Sequence, residues 1–170
     1  MLPCDLTSNT LVGSNANGSV DLIDLSGAQG ANFTVKDGAS NTFMATQSAA
    51  NFFNATAEYG QKYPGSDKLI VTDAGTSTGD PAVGHQTHNG SAADVRYQDA
   101  NGRNIQSGVA SAGAADASRM SAFVSIAGSH GFSYNLSSRP ADFGTSTASQ
   151  AVYDMHRDHL HIGRHLFETP

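Results

Sequence analysis

Two short histidine clusters constrain this chain more than any other feature of it. Gly84-His85-Gln86-Thr87-His88 is followed by Asp94, and Met155-His156-Arg157-Asp158-His159-Leu160-His161 comes about 70 residues later. Together they hold five of the seven histidines. Neutral imidazole is the commonest protein ligand for zinc, and three protein ligands plus a water make a catalytic zinc site. Spacing limits which residues can share one ion. On a helix, His159 and His161 would point roughly 200° apart, whereas on a strand residues i and i+2 leave the same face. The Asp-His-Leu-His-Ile-Gly run therefore reads as a strand, with both imidazoles toward one cleft and Leu160 and Ile162 turned into a core. His130 and His165 read as ordinary surface or core histidines.

The rest of the composition narrows the partners. A formal net charge of −6 with no run of Lys or Arg excludes a surface that tracks nucleic-acid phosphates. At 170 residues the chain is expected to be a single globular domain. A hydrophobic content of 38%, with abundant Gly, Ser, Ala, Asn and Thr, favours a loop-rich domain over a helical bundle. Cys4 is the one cysteine, so no internal disulfide is expected. No apolar run approaches membrane-spanning length, and Met1 to Thr10 show neither a basic n-region nor an apolar core. With no signal peptide visible, an extracytoplasmic substrate would require delivery by another route.

Along the chain, residues 1–39 form a Gly/Asn-rich segment with an alternating patch at Val20–Leu25 and a second short strand at Asn32–Val35. Residues 40–170 read as the site-bearing domain. Phe43, Met44, Gln47, Ala50, Phe52, Phe53 and Ala57 recur at helical spacing from Ser40 to Gln61, with Ser40 as N-cap and Tyr63-Pro64-Gly65 as the stop. Lys68–Asp73 is a strand with a continuous apolar centre, expected to be buried on both faces. Ala92–Tyr97 is the next, where alternation puts Asp94 and Arg96 on one face and Ala93, Val95 and Tyr97 on the other. Asp99–Gly102 is a turn. Ala114 to His130 is a second helix capped by Gly131, Phe132–Leu136 a strand, and Ser137 to Gln150 a polar loop. This order predicts an α+β fold: a small antiparallel sheet carrying a zinc site, flanked by two main helices and long loops.

His88, a nearby Gly, then Asp94-Val95-Arg96-Tyr97, and the late Asp158-His159-Leu160-His161 resemble the zinc peptidases grouped around lysostaphin, D-Ala-D-Ala metallopeptidases and hedgehog N-domains. The nearest likeness is to penicillin-insensitive murein endopeptidases, with His85 three before the first ligand and His156, His159 and His161 as the late His-x-x-His-x-His. The likeness covers roughly residues 68–163. It implies that His88, Asp94 and His161 hold Zn2+, that His159 is the active-site histidine, and that His85 and His156 line the site or touch substrate. The interval from His88 to Asp94 is one residue shorter than the family's usual spacing, which leaves His85 open as a substitute ligand.

Zinc on two His and one Asp keeps a position for water and lowers its pKa to about 7. His159 or His156 would accept the water's proton and return it to the leaving amine. Arg96 or Arg139 could hold a substrate carboxylate as a bidentate partner. No His-Glu-x-x-His helix and no Gly-x-Ser-x-Gly elbow is present. The expected activity is cleavage of an amide in the peptidoglycan stem peptide or cross-link, in the periplasm or cell wall. A delivered toxin or lysin domain of this kind carries the expectation of an immunity or inhibitor protein. The alternative is a metal-stabilised, non-catalytic binding module of hedgehog-like type.

Overall fold

The computed structural model describes residues 10–15, 18–28, 32–78, 88, 90–106 and 111–164. The architecture is α+β, with two sheets. Strands β1 (Thr10–Asn15), β2 (Gly18–Asp24) and β4 (Phe43–Ala45) form a three-stranded antiparallel sheet in the order β1-β2-β4. Strands β3 (Phe33–Val35), β5 (Leu69–Asp73), β6 (Ala92–Arg96), β7 (Tyr134–Leu136) and β8 (His159–Gly163) form a five-stranded sheet in the order β3-β5-β6-β8-β7. Its strand β8 carries His159 and His161. The sheet is mixed, because β3 runs parallel to β5 while the other pairings are antiparallel.

Helices α1 (Thr46–Lys62) and α3 (Ala117–Ser129) supply the main apolar faces. Phe52 and Tyr59 of α1 and Met120, Phe123 and Ala127 of α3 are buried with Leu69, Val71, Ala93, Val95, Tyr97, Leu160 and Ile162 of the sheet and its edge. The alternation of β6 and β8 thus resolves as the sequence implies: one face feeds the core, and Asp94, Arg96, His159 and His161 leave the other. Phe52 sits edge-on to both Phe33 and Phe132, at ring-centroid distances of 5.1 and 6.4 Å. Burying each such ring stabilises the fold by roughly 1.5–3 kcal/mol. Leu22, Ile23, Leu25 and Phe33, from the Gly/Asn-rich segment, are also buried.

Four local expectations are corrected. The first helix starts at Thr46, after Ala45, and Ser40 does not cap it. Phe43–Ala45 is instead claimed by the sheet, pairing with Leu22–Asp24 and exchanging backbone hydrogen bonds with Gly75. β5 is buried at Leu69 and Val71 but half-buried at Ile70, Thr72 and Asp73, so only one of its faces is covered. The polar stretch 137–150 contains a short helix, α4 (Pro140–Phe143), and leads into another, α5 (Gln150–Met155). A four-residue helix α2 (Ser111–Ala114) precedes α3. The second main helix begins at Ala117, not Ala114, because Asp116 caps it there, while its end near Gly131 is as expected. Asp116 accepts from Arg119 N–H at 2.8 Å to cap α3, and Phe132 N–H and Gly131 N–H close it by bonding the Ala127 and Gly128 carbonyls. None of the helices among the described residues is long and apolar enough to cross a membrane.

Candidate metal centre

Five consecutive pairs tie β6 to β8, from Ala92 opposite Gly163 to Arg96 opposite His159. In that register Asp94 faces His161 directly. Oδ1 of Asp94 lies 2.9 Å from Nδ1 of His161, and Nε2 of His88 lies 3.1 Å from each of them. The three residues are 1–2% exposed. His88 enters just before Gly90, whose φ of +81° is a conformation that L side chains rarely adopt and whose carbonyl accepts from Ala45 N–H. His161 is seated by Gly163: a Cβ there would come within 2.8 Å of the ring's Nε2.

These three atoms are chemically suited to a cation. His88 Nδ1 lies 2.9 Å from Oδ2 of Asp73; as a carboxylate only accepts, Nδ1 carries the proton and Nε2 of the neutral ring presents its lone pair. Nε2 of His161 is buried with no hydrogen-bond partner, so the ring's interactions run through Nδ1. Two nitrogen lone pairs and a carboxylate oxygen at mutual distances of 2.9–3.1 Å repel one another unless protons or a cation lie between them. A triangle of that size accepts an ion about 2.0–2.1 Å from each corner, the usual zinc–ligand distance. The buried group His88, Asp94 and His161 can therefore hold a metal ion.

Around the triangle stand the other histidines. His159 bridges two carboxylates, with Nδ1 2.9 Å from Asp158 Oδ1 and Nε2 3.3 Å from Asp94 Oδ2. His156 is 7% exposed, its ring centred 4.9 Å from that of His159 and 5.8 Å from that of His161. Its Nδ1 donates to the Val152 carbonyl at 2.6 Å, which makes Nε2 the basic nitrogen of the neutral ring. Tyr97 holds the same residue from behind, donating its hydroxyl to the His156 carbonyl at 2.8 Å.

Burial opposes charge on every one of these rings, and the carboxylates decide which rings keep it. For His88 the hydrogen bonds it donates to Asp73 and Asp94 outweigh burial and raise its pKa to about 9. Burial also works against charge on Asp94, but the surrounding imidazoles of His159, His161 and His88 overcome it and hold the carboxyl well below its usual range. His159 is raised despite burial, by Asp94 and Asp158. His161 is lowered, as burial outweighs its contact with Asp94. Burial pushes His156 down to about 4, so its ring is neutral.

Of the residues singled out from the sequence, His88, Asp94, His161, His159 and His156 are brought together. His85 lies outside the described residues. Arg96 is on the site face, 6% exposed, with Nη1 donating to Gln106 Oε1 at 2.8 Å. Arg139 is engaged elsewhere. It pairs with Asp142 at 2.6 Å, donates to the Ala112 and Ala115 carbonyls, and lies over the Phe143 ring. Sequence reasoning missed Asp73 and Asp158. Asp73 ends an apolar strand and Asp158 adjoins His159, but only pairing across the sheet shows that Asp73 reaches His88. No family model matches the chain, and neither curated proteins nor solved structures provide a match.

Proposed function

We propose that this chain is a zinc-dependent peptidoglycan peptidase that hydrolyses an amide bond in the stem peptide or cross-link, acting in the periplasm or cell wall. The observation that carries the reading is the buried His88–Asp94–His161 triangle with two further histidines, His159 and His156, beside it. A zinc ion held there supplies Lewis acidity toward the scissile carbonyl and lowers the pKa of its water to about 7.

The chain's own residues supply the rest. His88, Asp94 and His161 are the ligands, and Asp73 orients the His88 ring through Nδ1, as a carboxylate behind a ligating histidine does. His156, its Nδ1 committed to Val152, offers Nε2 as the acceptor of the water's proton. His159, clasped by Asp158 and Asp94, is the donor placed to protonate the leaving amine or to stabilise negative charge developing on the carbonyl oxygen. A module that only binds has no need of two such rings beside its metal. A delivered toxin or lysin domain, neutralised in its producer by an immunity protein, is the biological setting that this activity fits.

The test is digestion of purified diaminopimelate-type sacculi by the zinc-loaded protein, with the released fragments identified by mass spectrometry. New amino and carboxyl termini within the stem peptide or cross-link are expected. If zinc is bound stoichiometrically and no fragment appears, the peptidase reading is wrong and the metal-stabilised binding module takes its place.

A further inference from the structure

Among the described residues, Arg96 has a buried guanidinium with no carboxylate partner. It is 6% exposed, its one hydrogen bond there runs from Nη1 to the neutral Gln106, and Nε is buried without a partner. Removing a cation from water without pairing it is among the costliest things a fold can do. The other arginine that the sequence offers as an anion anchor, Arg139, already has Asp142 and two carbonyls. The position of Arg96 is also specific. It is two residues from Asp94 on the same face of β6 and directly opposite His159 in the β6–β8 register. An anion paired with it would lie next to the reacting groups.

We infer that Arg96 anchors a free carboxylate of the substrate beside the cleaved amide. This rests on the peptidase reading and sharpens it to a substrate class: peptides carrying an anionic carboxylate close to the scissile bond. In a stem peptide the two such carboxylates nearest the cross-link are that of the C-terminal residue and the free side-chain carboxylate of diaminopimelate. The planar guanidinium suits a carboxylate because two N–H groups can meet its two oxygens in parallel. Gln106 fixes the plane through Nη1.

The experiment compares three soluble stem peptides with the zinc-loaded wild-type protein. One keeps both carboxylates, one is amidated at its C-terminus and one is amidated at diaminopimelate. The anchored carboxylate is the one whose amidation lowers kcat/KM about 10–100-fold, the size of a lost charge-assisted pair. Arg96→Met should abolish that discrimination, and Arg96→Lys should restore only part of it. Both variants should retain a full equivalent of zinc and the wild-type circular dichroism spectrum. Should neither variant fold, the wild-type comparison of the three peptides decides alone.

Equal cleavage of all three peptides by the wild type overturns the anchor and leaves the peptidase reading standing. Cleavage of none overturns the peptidase reading, and the anchor is then judged by calorimetric titration of the same peptides. Selective binding of a carboxylate form, lost in Arg96→Met, supports it; equal binding or none refutes it.

Discussion

Asp73 and Asp94 are opposite one another on β5 and β6, and between them they engage both nitrogens of His88. Asp73 takes Nδ1 at 2.9 Å and Asp94 lies 3.1 Å from Nε2. Only Asp94 belongs to the group that can hold a metal ion. Asp73 fixes the tautomer in which Nε2 of the neutral His88 ring offers its lone pair to that group. Asp73→Ala is accordingly expected to weaken zinc binding by about 10–100-fold without abolishing it. Competition with a chromophoric chelator measures this, and unchanged affinity would remove Asp73 from the site.

Replacing His88, Asp94 or His161 singly by Ala should reduce bound zinc to a small fraction of an equivalent per chain, as read by elemental analysis. His159→Ala should behave differently, because the ring borders Asp94 without belonging to the triangle. Zinc content and fold are expected to persist while the rate on peptidoglycan falls about 10²–10⁴-fold, the usual value of a proton-transfer group. Loss of zinc from His159→Ala would make it a ligand.

Metal binding should stabilise the fold, since the ligands come from the segment around His88 and from β6 and β8, which the unfolded chain does not hold together. At free zinc a thousandfold above Kd the gain is about 4.1 kcal/mol. A chelator should therefore lower the melting temperature of the wild type and leave that of His161→Ala unchanged. The effect should shrink as pH falls, because ligands must be deprotonated to bind and His88 holds its proton up to about 9.

Alkaline stability is set in part by Tyr59. Its hydroxyl donates to the buried Gln98 at 2.8 Å, and burial pushes the phenol up to about 12. An unfolded tyrosine ionises near 10. The folded state thus favours the neutral phenol: its contribution is fully present below about pH 10 and is lost as pH rises through about 12. Tyr59→Phe should cost about 1–3 kcal/mol at neutral pH, because Gln98 Oε1 loses its donor. It should also flatten the fall in stability across that alkaline window. Denaturant melts at several pH values check both; parallel pH profiles for variant and wild type would contradict the assignment.

Much of the site was legible because strand periodicity is a local property. The alternation His159-Leu160-His161-Ile162 and Ala93-Asp94-Val95-Arg96 places each side chain on a face before any tertiary contact is known. The start of α1 was not legible. Phe43 and Met44 fit a helical stripe as well as they fit a strand, and the sheet takes them because β2 and Gly75 offer backbone partners. The parallel pairing of β3 with β5 was likewise invisible, since an edge strand of three residues carries no sign of its direction.

The sequence by itself determined which residues have metal-binding chemistry and which faces they share, because ligand type and side-chain period are written in the chain. Only the tertiary structure decided how they combine. The β6–β8 register sets Asp94 against His161, the β5–β6 pairing brings Asp73 to the back of His88, and burial leaves Arg96 without a counter-ion among the described residues. These are relations between strands distant in sequence. They arise from sheet pairing over the apolar face that α1 and α3 cover, and no local pattern encodes them.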